Sequence, residues 1–251
     1  MMTTASELRN QAKVAHLVSP KPKPIPVGDE LAGDQYARLE WKKRIEEGDG
    51  VLSSLADAHR QFYNYHRDLR EAFERRDPEQ TEDGHFMAIK RLGEQTLARA
   101  GAASDQARER AEGTVKDIRE RLRRELNLTE THRAGEIRTM LRSLADSERM
   151  AIIQAAIADR DGQTIAAIVE APAYLSGMTA EQAKAIRAQY ERAHGGDLPA
   201  RAEALEKAIE INRKTAMQAL QFQSALLPIE RAREIEARQA AARAMRERLQ
   251  A

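Results

Sequence analysis

The chain has 251 residues, enough for one large domain or two small ones, and 32% of them are charged against 41% apolar. Its 41 basic and 40 acidic side chains nearly cancel and are interleaved, which argues against a dedicated nucleic-acid or membrane-surface protein. The absence of cysteine excludes disulfides, thiol catalysis and thiolate metal sites. No apolar run is long enough for a bilayer span and no secretory signal is evident, so we expect a cytoplasmic protein when made.

Helix-forming residues dominate the composition, and β-branched residues are sparse. The sequence therefore predicts an all-α fold that combines a long antiparallel helical hairpin, with coiled-coil-like helices, and a small bundle of short helices. Prolines, glycines and helix-capping residues divide the chain into four predicted segments. They are an N-terminal helix and proline-rich strap (1–28), the long hairpin (29–127), the short-helix bundle (128–196) and a C-terminal long helix interrupted at Pro228 (197–251).

The strap holds four prolines at alternate positions within residues 20–26, which forces an extended, polyproline-like backbone. Such a segment is either a basic linker or an arm that reaches a neighbouring subunit. Asp29 is the predicted cap of the next helix, which runs to Glu47 and ends at Gly48.

The predicted hairpin pairs a helix over residues 51–76 with a longer one over residues 89–126. The first carries the richest apolar stripe of the chain: Leu52, Leu55, Phe62, Tyr65, Leu69 and Phe73. At about 1.5 Å per residue, the second spans roughly 57 Å, far more than a compact domain needs.

A seam of small and apolar residues follows one side of this second helix, at spacings of three or four residues. The seam consists of Ile89, Gly93, Leu97, Ala100, Ser104, Ala107, Ala111, Val115, Ile118, Leu122 and Leu126. Small side chains bury little area, so another helix must cover the seam. That helix belongs either to this chain or to a second copy, and we predict the seam, apart from Ser104, as a protein interface.

Short helices with clear capping residues are predicted next. Thr129 is the predicted cap of the first, and Asp146 or Ser147 caps the second. Thr179 with Gln182 three residues later has the pattern of a capping box that opens the last of them.

Pro199 opens the final long helix, which Pro228 interrupts. The side chains predicted to face inward are Leu205, Ile209, Ala216, Leu220 and Leu227. The piece after Pro228 carries a heptad-like stripe, which we predict as a second protein interface: Ile235, Ala242, Met245 and Leu249.

No catalytic, cofactor or metal motif is present. The chain lacks HExxH, GxGxxG, GxxxxGK[ST] and GxSxG, and its helical carboxylates have basic neighbours three or four residues away. The basic cluster at Arg119, Arg121, Arg123 and Arg124 is interleaved with Glu120 and Glu125, as on a solvated helix face. We therefore expect no enzyme, no cofactor, no metal and no small-molecule substrate, and do not expect nucleic acid as a partner.

Residues 161–182, and especially the run Ala-Pro-Ala-Tyr-Leu-Ser-Gly-Met-Thr at 171–179, resemble a stretch of tailed-bacteriophage proteins encoded among virion structural genes. The resemblance implies a non-enzymatic virion or assembly component and transfers no functional residue. We expect a structural protein of a multi-subunit assembly that binds itself as a homo-oligomer and other proteins of the same assembly, with incorporation into a virion. The alternatives are a helical adaptor or chaperone-like protein and a weak nucleic-acid-organising protein.

Overall fold

The computed structural model describes residues 35–76 and 78–250, with side chains from residue 41 onward. Over this part the chain forms nine α-helices and no strand, which confirms the predicted all-α class. The helices are α1 Gln35–Glu46, α2 Gly50–Glu74, α3 Glu82–Glu125, α4 Ala134–Ser143, α5 Asp146–Ala158, α6 Gly162–Val169, α7 Ala180–His194, α8 Leu198–Leu226 and α9 Ile229–Gln250, with a 3₁₀ turn at Ala173–Ser176. The predicted N-terminal helix, the strap and the Asp29 cap lie outside the described residues.

Two helix starts follow from side-chain caps. Asp49 opens α2 because its carboxylate accepts hydrogen bonds from the backbone N–H groups of Val51 and Leu52, at 3.1 and 3.2 Å. The capping box predicted for α7 is confirmed. The Gln182 N–H donates to Thr179 Oγ1 at 3.1 Å, and the Thr179 N–H donates to Gln182 Oε1 at 2.8 Å.

Two predicted caps are wrong. Thr129 opens no helix, and α4 begins only at Ala134, because Leu128 is fully buried and its carbonyl accepts a hydrogen bond from Arg123 Nε at 3.1 Å. These contacts hold the preceding residues in an irregular connection. At α5, Ala145 is the cap, and Asp146 already lies in the first helical turn.

The described chain divides into two compact units. The first contains the residues up to Arg108 and those from Glu210 onward, and the second runs from Glu109 to Ile209. Helices α3 and α8 therefore contribute residues to both units.

The core of the first unit is built by α2, α3, α8 and α9. Its members are Phe62, Tyr65, Leu69, Phe86, Ile89, Leu97, Ala100, Ala219, Phe222, Leu226, Leu227, Ala232 and Ile235. Full burial of a Phe or Leu side chain contributes roughly 1.5–3 kcal/mol, so the Phe and Leu members of this cluster contribute strongly to the stability of this unit.

Leu220 was predicted to face this core and does not, since 58% of its surface is exposed. The buried face of α8 in this unit contains Asn212 and Thr215 together with Ala219 and Phe222. Because two of the buried positions are polar, a prediction from hydrophobicity alone assigns the wrong face of α8 to the core.

The core of the second unit is formed by the short helices and the adjoining parts of α3 and α8. Its fully buried side chains include Leu122, Leu126, Leu128, Leu141, Ile153, Ile165, Ile168, Tyr190 and Leu205. The Tyr190 hydroxyl lies 3.2 Å from the carbonyl oxygens of both Leu126 and Arg160, and thereby joins α7 to two chain connections.

Candidate interaction surfaces

Within the first unit, the seam is covered by other helices of the same chain. Ile89, Leu97 and Ala100 belong to the core, and Gly93 is buried beside Leu69 of α2. A Cβ atom at Gly93 would lie 3.0 Å from Leu69 Cδ1, so the absence of a side chain permits this close approach.

Ser104 places a polar contact in the middle of the seam. Its hydroxyl donates a hydrogen bond of 2.5 Å to Asn212 Oδ1 on α8, and both side chains are fully buried. Nearby on α8, the Thr215 hydroxyl lies 3.0 Å from His59 Nδ1 on α2. Hydrogen bonds between buried side chains of this kind form in one helix register only, so they favour that register over neighbouring ones.

In the second unit, the seam residues Ala111, Ile118, Leu122 and Leu126 are buried, and Val115 is half-buried. Val115 is thus the one seam residue that is not buried by its own chain. The sequence left open which helix covers the seam, and the described chain itself supplies that cover. The role of the seam as an interface between chains stays a prediction.

The second predicted interface has a different environment. Ile235 is buried in the core of the first unit, whereas every residue from 236 to 250 is exposed. Within this segment, which we call the arm, Ala242 is exposed, and Met245 and Leu249 are 68% and 83% exposed. The arm carries the part of the predicted stripe that the fold leaves uncovered.

The base of α9 is fixed against the start of α3. The Arg231 guanidinium lies 4.6 Å from the centre of the Phe86 ring and pairs with Glu82, and Arg238 pairs with Asp83 at 3.1 Å. These contacts, with the burial of Ile235, set the direction in which the arm leaves the unit.

A groove of about 440 Å³ lies at the Pro228 break between α8 and α9, beside α3. Its lining residues are Lys90, Glu94, Leu220, Gln223, Ser224, Leu227, Pro228, Ile229 and Glu230. Leu220 and Ile229 are more than half exposed there, and Lys90 pairs with Glu94 at the rim. Sequence reasoning missed this groove, although a proline that breaks a helix between apolar residues was the available signal.

Two glutamates of the second unit are each paired with two arginines. Glu191 is nearly fully buried and accepts hydrogen bonds from Arg119 at 2.8 Å and Arg187 at 3.0 Å. Glu170 binds Arg187 and Arg123, each at 3.2 Å. Arginines 119 and 123 of the predicted charged face therefore contact carboxylates of α7 and the end of α6, which stabilises the helix packing.

The structure groups no three His, Asp or Glu side chains in a metal-binding arrangement anywhere in residues 41–76 and 78–250. Across the described helices, none is both long and apolar enough to cross a bilayer. Comparison with known proteins gives no significant match to a protein-family model, to a curated protein or to a solved structure.

Proposed function

We propose that this chain is a non-enzymatic helical structural or assembly protein of a multi-subunit complex, and that the arm is its main protein-binding element. The single observation that carries the proposal is the continuous exposure of residues 236–250, with Met245 and Leu249 on one side of the helix.

Physical chemistry favours a protein partner for the arm. Isolated helices of this length are marginal in water, and most helical stability in proteins comes from packing of an apolar face. Burial of a Met or Leu side chain contributes roughly 1.5–3 kcal/mol, so a partner that covers Met245 and Leu249 stabilises both itself and the arm.

The resemblance of residues 161–182 to tailed-bacteriophage proteins supports a more specific proposal. The chain is then a virion, capsid-internal or head-to-tail component, or a scaffold used in assembly. Its long helices and its arm suit a mechanical role, because they link subunits without any chemical step.

A helical adaptor is the second candidate. The exposed apolar side chains of Tyr174 and Met140 favour it, since both belong to the second unit, which would then bind the partner. Replacement of both by Ala separates the two candidates. An adaptor loses its partner with this variant, and an arm-dependent assembly does not.

The test measures the native mass of the complex purified from the cells that make it. The variant Met245→Glu with Leu249→Glu is compared with the control Ala240→Glu with Ala244→Glu, which places the same two charges on the opposite face of the arm. We expect wild type and control to form a complex with a mass well above the chain mass of 28.2 kDa, and the arm variant to be a monomer. A monomeric wild type, or equal loss in both variants, overturns the proposal.

A further inference from the structure

The arm and the groove contain four of the eight large apolar side chains that are exposed in the described chain: Leu220, Ile229, Met245 and Leu249. One surface is a projecting helix and the other is a concave site of about 440 Å³. Their shapes and apolar character suit each other.

The arm cannot fill the groove of its own chain. Ile229 lines the groove and begins α9, and Leu249 lies twenty residues further along the same unbroken helix. At 1.5 Å per residue, about 30 Å of rigid helix separates the two side chains. An arm that occupies a groove must therefore belong to another copy.

Charges at the two surfaces are complementary. By helix geometry, Arg246 and Arg248 lie on either side of the stripe formed by Met245 and Leu249. Neither arginine has an ion-pair partner within the described chain, and the same is true of Glu230 at the groove rim. A second acidic side chain, Glu94, faces the groove and pairs with Lys90.

Pairing of two arms with each other is less favourable. In a parallel pair with Ala242, Met245 and Leu249 in the contact, Arg246 of one copy would face Ala241 of the other, so the contact supplies no acidic partner for Arg246. The groove supplies Glu230, which has no ion-pair partner within the described chain, so charge favours the groove over a second arm.

We propose, resting on the function above, that the arm of one copy docks in the groove of a second copy. Met245 and Leu249 pack against Leu220 and Ile229, and the flanking arginines lie beside Glu230. Such a contact is heterologous, because it joins two different surfaces. Each added copy then presents one free arm and one free groove, and the assembly grows head to tail into a ring or a filament.

The experiment uses the purified full-length chain alone, with sedimentation velocity over a range of micromolar concentrations. The arm variant is Met245→Glu with Leu249→Glu, and the groove variant is Leu220→Glu. Their controls are Ala240→Glu with Ala244→Glu, and Leu92→Glu, which replaces a similarly exposed leucine of α3 outside the groove. We expect concentration-dependent oligomers from wild type and both controls, and monomers from the arm and groove variants.

Mixing the two monomeric variants tests the head-to-tail geometry. The arm variant retains an intact groove and the groove variant retains an intact arm, so one productive contact is possible. We expect the mixture to form dimers and nothing larger. Circular dichroism of each variant verifies that it is folded, and all the substituted side chains are exposed.

Three outcomes overturn the inference: a wild-type chain that stays monomeric alone, oligomers that survive the groove variant, and a mixture that gives no dimer. If the chain is monomeric alone but forms the arm-dependent native complex described above, the proposed function stands. Only the docking of the arm in the groove of a second copy is then disproved. If the native complex is also independent of the arm, both the proposed function and the arm-in-groove contact are disproved.

Discussion

Gly162 begins α6 at a point where another part of the backbone passes very close. A Cβ atom at this position would lie 2.0 Å from the Leu126 carbonyl oxygen, which is far inside van der Waals contact and belongs to a group that cannot rotate away. The connection after α3 and the start of α6 thus pack together only because residue 162 lacks a side chain.

Replacement of Gly162 by Ala is expected to destabilise the chain by at least about 2 kcal/mol, because the backbone must shift to relieve the overlap. Urea denaturation followed by circular dichroism measures the change. The matched control is Gly113→Ala on α3, where a Cβ atom meets nothing within 4 Å. This control should stabilise the chain by up to about 1 kcal/mol, since alanine favours helix more than glycine does. Equal effects of the two changes would contradict the expected clash.

His66 is a buried titratable residue of the first unit. Its ring centre lies 4.0 Å from that of Phe222, and its Nε2 atom has no hydrogen-bond partner among the described residues. Burial, followed by the nearby positive charge of Arg70, lowers the pKa of His66 below its ordinary value of 6.5. The fold therefore favours the neutral imidazole.

This lowered pKa makes stability depend on pH. Between the ordinary pKa and the lowered one, the unfolded chain binds a proton that the folded chain does not, so the free energy of unfolding falls as pH falls. We expect His66→Gln to reduce the loss of unfolding free energy between about pH 7.5 and about pH 5.5, measured by urea denaturation at each pH. The control variant replaces His132, an exposed histidine outside the core of the first unit, by Gln. A wild-type pH dependence in the His66 variant would disprove the assignment.

At the scale of elements, one arginine caps the C-terminal end of α4 and connects it to two neighbouring elements. Arg149 of α5 donates hydrogen bonds to the carbonyl oxygens of Leu141 at 2.8 Å, Leu144 at 2.9 Å and Gly177 at 2.6 Å, and contacts the carboxylate of Asp146. The first two oxygens belong to the end of α4, where intrahelical donors are missing. A single guanidinium thus joins α4, α5 and the turn before α7.

Arg149→Met is expected to destabilise the chain by roughly 2–5 kcal/mol, because it removes the hydrogen bonds that a buried guanidinium donates to three carbonyl oxygens. Thermal and urea denaturation both measure this change. The control Arg142→Met replaces an exposed arginine of α4 and should change stability by less than about 0.5 kcal/mol. If the two variants were equally stable, the bonds of Arg149 would contribute little.

At the scale of the whole molecule, we expect the stability of the fold not to depend on the arm. Deletion of residues 240–251 retains Ile235 in the core and Arg238 with its partner Asp83. We expect the free energy of unfolding, measured on the monomer at low concentration, to change by less than about 0.5 kcal/mol, while assembly is lost. A large loss of stability would show that the arm packs against its own chain.

Much of the fold could be predicted from local signals. The C-terminal end of α3, the break at Pro228 and the capping box of α7 depend on periodicity, proline geometry and short-range hydrogen bonds, which the sequence contains directly. Thr129 and Leu220 were assigned wrongly because their placement depends on partners far away in the chain. The late start of α4 depends on the burial of Leu128. The inward orientation of Asn212 and Thr215 on α8 depends on their contacts with Ser104 of α3 and His59 of α2.

The candidate surfaces divide in the same way. The stripe of Ala242, Met245 and Leu249 is visible in the sequence because it repeats along one helix. The groove is not visible, since it is formed by residues of α3, α8 and α9 that meet only after folding.

By itself, the sequence determined the all-α class, the capping box of α7 and the end of α8 at Pro228, because these depend on the chain within a few residues. Only the tertiary structure decided that the seam is covered by the chain's own helices, whereas residues 236–250 stay exposed. The physical reason is that an apolar stripe fixes which side of a helix must be covered but not what covers it. The cover depends on which distant residues have the shape and polarity to fit.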